Sequence, residues 1–134
     1  MLKKVLTTFL LSCAMLYGVD FEIVKDYDIA LKKAKKEDKI LLLMISREDC
    51  PMCIFMKNHT LENESVGEFI EMNFVFAEVK PENIPSRFKV FGTPTFYFID
   101  PKTGKKIGRQ LIGGAKAPAF LEKLKEYKRK RIEK

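Results

Sequence analysis

The spacing of apolar and polar residues changes several times along the chain, and each change predicts an element. Ile40-Leu41-Leu42-Leu43-Met44-Ile45 is an unbroken apolar run between polar Lys39 and Ser46. A run this short with no polar side predicts a strand buried on both faces, as in a parallel sheet. Phe74-Val75-Phe76-Ala77-Glu78-Val79 predicts a second strand, and aromatic, β-branched Thr95-Phe96-Tyr97-Phe98-Ile99 a third. Asp100-Pro101-Lys102-Thr103-Gly104-Lys105 is turn chemistry, so Lys106 to Ile112 is expected to return antiparallel as a hairpin.

Between these runs the period lengthens to that of a helix. Val24 to Asp38 carries Ile29, Ala30, Leu31 and Ala34 among lysines, with Asp26 or Asp28 as its cap. Pro51 suits a first helical turn, and Met52 to His59 continues it. Asn63 or Ser65 caps a segment whose apolar positions are Val66, Phe69, Ile70 and Met72, and a short helix is expected from Ile84 to Val90. Ala117 to Ile132 places Phe120, Leu121, Leu124 and Tyr127 on one face and basic residues on the other. The alternation predicts parallel pairing, and the late hairpin adds an antiparallel edge. The expected fold class is α/β, one mixed central sheet with helices on both faces.

A length of 134 residues with 46% hydrophobic and 32% charged composition fits one globular domain. Met1-Leu2-Lys3-Lys4 followed by mainly apolar Val5 to Leu16 has the layout of a bacterial signal peptide. This apolar run is shorter than the roughly 20 residues a spanning helix needs. The expected division is therefore a leader at 1–18, cleaved near Gly18, and a domain at 19–134, placed in the periplasm or otherwise outside the cytoplasm. Leu10-Leu11-Ser12-Cys13 also resembles a lipoprotein signal, which would anchor the chain through Cys13 on the outer side of a membrane.

The formal charge is +7, concentrated at Lys32-Lys33-Ala34-Lys35-Lys36 and Lys128-Arg129-Lys130-Arg131. Acidic residues are interspersed and no nucleic-acid motif accompanies the runs. They read as solvated helix faces, with no nucleic-acid partner expected.

Outside the leader, the cysteines are Cys50 and Cys53. A strand, a loop and a Cys-x-x-Cys opening a helix put the first thiol among unpaired backbone N–H groups, which favour the thiolate. The thiolate is the nucleophile of disulfide exchange. Cys50 is then the attacking and Cys53 the resolving thiol. Zinc would want four ligands, and the one histidine, His59, is about 9 Å along a helix from Cys53. Met52 as a soft ligand leaves a copper-carrier reading open. A structural disulfide closing so short a loop would add little stability.

Three features together, Ile40 to Ile45, Cys50-Pro51-Met52-Cys53 and Gly92-Thr93-Pro94-Thr95-Phe96, resemble the thioredoxin superfamily over about residues 24 to 127. Asp49 to Lys57 with Asn63 to Val66 is most similar to its exported branch, which includes the C-terminal domain of the membrane thiol-disulfide interchange protein. The resemblance implies a three-layer α/β/α sandwich and a redox-active disulfide between Cys50 and Cys53. It also implies a cis Pro94, with Pro51, Met52, Thr93 and Pro94 facing an extended substrate chain. Thiol-disulfide exchange with protein substrates follows, with no organic cofactor, no metal and a membrane electron donor; separately, Glu48 and Asp49 immediately before Cys50 disfavour the thiolate and lean the reading towards a reductase or isomerase-like role. The chain departs from the pattern in lacking tryptophan and in placing Met44 where thioredoxins carry a buried aspartate. Glu48 is the candidate to replace that carboxylate.

Overall fold

The computed structural model describes residues 20–133. The predicted leader at 1–18 and Cys13 lie outside them. Strand β1 (Ile23–Val24) leads into helix α1 (Tyr27–Glu37), and β2 (Ile40–Ile45) follows. Helix α2 (Pro51–Phe55) runs on through a π turn at Met56–Thr60, and α3 (Glu64–Asn73) precedes β3 (Phe74–Val79). Strands β4 (Thr95–Ile99) and β5 (Leu111–Ile112) come next, and α4 (Ala117–Ile132) completes the domain. The sheet order is β1-β3-β2-β4-β5. Strand β3 is parallel to β1 and β2, while β4 is antiparallel to β2 and β5. This is the expected mixed sheet.

All six residues of β2 are buried, as the unbroken apolar run requires. Alternate side chains supply two cores. Leu42, Met44, Phe74, Phe76, Phe96 and Phe98 pack with Met56, Ile70, Phe120 and Leu124 under α2, α3 and α4. On the other face Leu41, Leu43, Val75, Ala77 and Tyr97 meet Ala30 and Ala34 of α1. Phe98 and Tyr127 stack with centroids 3.8 Å apart, fixing α4 against β4.

Four expectations are corrected. Helix α1 starts at Tyr27 rather than Val24, because Asp26 is extended and its carboxylate accepts the Ile29 N–H at 2.9 Å. Val24 instead belongs to β1, too short for its pattern to show. Met52 to His59 is not uniformly α-helical: Leu61 N–H reaches back to Met56 O, widening the turn to π. Ile84 to Val90 forms no helix. Pro81–Asn83 makes a 3₁₀ turn, Phe88 N–H closes a turn on Pro85 O, and Phe88 packs against Tyr27 and Tyr97. The apolar spacing there serves loop packing on the α1 face. Finally, the strand expected from Lys106 to Ile112 pairs only at Lys106 and again at Leu111–Ile112. Gly108, at φ +65° beside the Tyr127 ring, turns the chain out between them.

Leu42 is fully buried at the middle of β2. Leu42→Ala is expected to lose about 3 kcal/mol of unfolding free energy, read from the urea midpoint. A loss under about 1 kcal/mol would contradict the packing described.

Candidate active site

Strand β2 ends at Ile45, paired with Thr95 at the start of β4. The loops beyond that pair, 46–50 and 92–94, therefore meet at one end of the sheet. Cys50 is extended and caps α2, and its Sγ accepts the Cys53 N–H at 3.1 Å. Pro51 begins the helix without leaving a donor unpaired. Cys50 and Cys53 stand at disulfide distance, with Cα atoms 5.2 Å apart. Cys50 retains 8% exposure and Cys53 has none. Cys50 therefore keeps a small exposed area, while Cys53 is fully enclosed.

The Thr93–Pro94 peptide is cis, as expected. Thr93 O lies 3.3 Å from Cys50 Sγ, and Pro94 O accepts the Gly113 N–H at 2.8 Å. The structure thus brings Cys50, Cys53, Thr93 and Pro94 together. Met52 is partly exposed beside them, its Sδ against Gly114, where a Cβ would collide with it. The β5–α4 loop also holds the helix from behind: Thr60 Oγ1 donates to Ala115 O, and Ala115 N–H points to Met56 Sδ at 3.3 Å. His59 packs its ring at a tilt against Phe55, centroids 5.1 Å apart. Among the described residues no three His, Cys, Asp or Glu side chains cluster as metal ligands.

The substitute carboxylate is not where the sequence suggested. Glu48 is 85% exposed and pairs with Lys80 at 2.8 Å, which holds its carboxyl below the ordinary range. The buried carboxylate is Glu78, beside Met44 in the β2–β3 register and only 8% exposed. Its oxygens take Lys25 Nζ at 2.7 Å, Ser46 Oγ at 2.8 Å and Lys57 Nζ at 3.0 Å. Burial pushes this carboxyl up, but the three donors and the Lys25 charge outweigh it, and the pKa falls from 4.5 to about 2. So saturated a carboxylate stays ionised and is a poor proton acceptor. It ties the redox helix, through Lys57, to β3 and to the segment after β1. Sequence reading passed over Glu78 as one polar residue in a strand; the signal was its place in a strand otherwise buried on both faces.

The Thioredoxin-like domain family model matches residues 27–128. The chain belongs to this family. A thioredoxin of Thermus thermophilus is similar at TM-score 0.69 and 30% identity, with 79% of this chain and 85% of that one covered. The oxidised C-terminal domain of DsbD from Neisseria meningitidis is similar at TM-score 0.61 and 25% identity, covering 78% and 98%. Among curated proteins, rat spermatogenesis-associated protein 20 is 36% identical over 64 residues, which are 48% of this chain and 8% of that protein. Mouse anterior gradient protein 3 is 28% identical over 87 residues, 63% of this chain and 53% of that protein. The chain therefore spans at most about half the length of these curated relatives. The expected thioredoxin-like sandwich is thus the fold, and it carries the Cys50–Cys53 pair at disulfide distance where α2 begins.

Because the folded pKa of Glu78 lies below its ordinary value, its ionic contribution is full above about pH 4.5 and fades towards pH 2. Glu78→Gln is expected to be less stable than the parent by about 1–2 kcal/mol near neutrality, with the gap closing as pH falls through that window. Urea midpoints across the range check this, and a gap that stays constant would contradict it.

Proposed function

We propose that the chain is an exported thiol-disulfide oxidoreductase that reduces disulfides in protein substrates. The observation that carries this is the asymmetry of the pair: Cys50 Sγ caps the helix and its residue keeps a small exposed area, while Cys53 is enclosed. In the reduced protein the Cys50 thiolate attacks a substrate sulfur, the substrate S–S bond breaks, and one substrate thiolate leaves and takes a proton. Cys53 loses its proton and attacks Cys50 Sγ, releasing the second substrate thiolate. Two electrons pass to the substrate, and the Cys50–Cys53 disulfide remains. A membrane electron donor returns the pair to the dithiol.

Thr93 offers backbone groups to an extended substrate segment beside the sulfur, with Pro51, Met52 and Pro94 around it. The reductive direction rests on Asp49, which precedes Cys50 and forms no ion pair among the described residues. Its charge disfavours the thiolate and so the reduced form. Glu48 adds little, since Lys80 matches its charge. Export rests on the basic-then-apolar start of the sequence; lipidation at Cys13 is the alternative means of holding the chain outside. A copper-carrier role is the second reading, but Met52 Sδ sits against Gly114 and does not favour it.

Dithiothreitol-driven reduction of a disulfide-bonded protein tests the proposal. Cys50→Ser is expected to abolish catalysis, and Cys53→Ser, reduced beforehand and freed of dithiothreitol, to stop after one event as a covalent complex with the substrate. Unchanged turnover in Cys50→Ser would overturn the assignment. Titration against glutathione tests the direction: a potential as high as that of a strong oxidant such as DsbA, about −120 mV, would overturn the reductase reading.

A further inference from the structure

Among the described residues, half of the large apolar side chains left exposed belong to segments that meet at Cys50: Met52, Ile54, Phe91 and Ile112. The rest fall one to an element, on β1, α1, α3 and α4, and scattered exposure of that kind is ordinary for a protein surface. The four near the redox pair come from three separate segments. Met52 lies between the cysteines, and Ile54 stands one turn beyond Cys50, its N–H donating to Cys50 O at 3.1 Å. Phe91 comes two residues before Thr93, whose carbonyl oxygen is 3.3 Å from Cys50 Sγ. Ile112 is paired with Thr95 on the edge strand β5, and a Cβ at Gly92 would touch its Cγ2 at 3.9 Å.

Between the two halves of this collar lie Gly113 and Gly114, which carry no side chains. Met52 covers Gly114, but a Cβ at Gly113 would meet nothing within 4 Å, so the space over it is open. The collar is held by the fold's own hydrogen bonds: Thr95 Oγ1 donates to Gly92 O at 2.6 Å, and Gly113 N–H to Pro94 O at 2.8 Å. The charged residues ahead of Cys50 border a different hollow, where Arg47, Glu48 and Asp49 meet Lys80 and Glu82.

Phe91 is 76% exposed and Ile112 56%, and water disfavours both surfaces. Their place beside Cys50 says what covers them. A chain that brings a disulfide to Cys50 must lie across this collar, and apolar side chains flanking its cysteine are stabilised by burial there. A folded protein keeps such side chains inside, whereas an incompletely folded chain leaves them exposed.

We propose that Phe91 and Ile112, with Met52 and Ile54, bind bulky apolar side chains next to the substrate cysteine, and that the preferred substrates are therefore incompletely folded chains. This rests on the redox assignment made above and adds to it the class of chain that is reduced.

Single-turnover thiol exchange tests it. The reduced chain, freed of reductant, is mixed with one of two peptides whose single cysteine is joined by a disulfide to thionitrobenzoate. One peptide carries Phe and Leu beside the cysteine, the other Ser and Gln, and their charges are equal. Cys50 Sγ bonds to the peptide sulfur, the bond from that sulfur to thionitrobenzoate breaks, and the coloured thionitrobenzoate anion leaves. The apolar peptide is expected to react at least about tenfold faster at limiting concentration. Phe91→Ser/Ile112→Ser should bring that ratio below about threefold. Ile29→Ser/Ile132→Ser, which removes exposed isoleucines from α1 and α4, should leave the ratio as it is, and thermal melting confirms that both variants fold. Equal rates on the two peptides would overturn the proposal and leave the redox assignment standing. Equal loss of the ratio in the two variants would also overturn it. So would sedimentation of the parent as a dimer that Phe91→Ser/Ile112→Ser dissociates, which would give the collar to a second copy of the chain. Release from neither peptide would instead sink the redox assignment, and the proposal with it.

Discussion

The register that pairs Ile45 with Thr95 positions the chemistry. It ends β2 and β4 at the same level, so the loop carrying Cys50 and the loop carrying Thr93 and Pro94 emerge side by side. The 3.3 Å approach of Cys50 Sγ to Thr93 O follows from that alignment. Side chains alternate along a strand, so a slip of one residue would turn Met44 and Phe96 away from the core under the redox helix.

Beneath the helix, Glu78 gives the structure a second point of control. A lone carboxylate in this sheet would be costly, and the donors from Lys25, Ser46 and Lys57 make it tolerable. The arrangement couples three elements that are distant in sequence, and its position beside Met44 changes the local chemistry. A carboxylate held ionised by three donors does not serve as the resolving thiol's base.

The three main strands were legible because a strand buried on both faces reads as a nearly continuous apolar run, broken here by little beyond Glu78 in β3 and Thr95 in β4. The C-terminal helix was legible because its apolar stripe and its basic face are both long. The cysteine pair and Pro94 were legible because their local chemistry is rare: a proline opening a helix between two cysteines, and a Gly-Thr-Pro before an aromatic strand. What escaped has physical causes. Strand β1 is too short to show a period, and the Ile84 to Val90 spacing arises from tertiary packing of Phe88. The hairpin return is interrupted at Gly108 by the Tyr127 ring. The partners of Glu78 became visible only in the fold, where Lys25 and Lys57, 53 and 21 residues away, converge on it.

The account depends most on the inequality of the two thiols. Timed alkylation of the reduced chain, with each adduct located by mass spectrometry, measures it directly. The account predicts that Cys50 is modified first, at least about tenfold faster than Cys53, and that unfolding in denaturant abolishes the difference. Equal rates in the folded chain, or faster modification of Cys53, would contradict it.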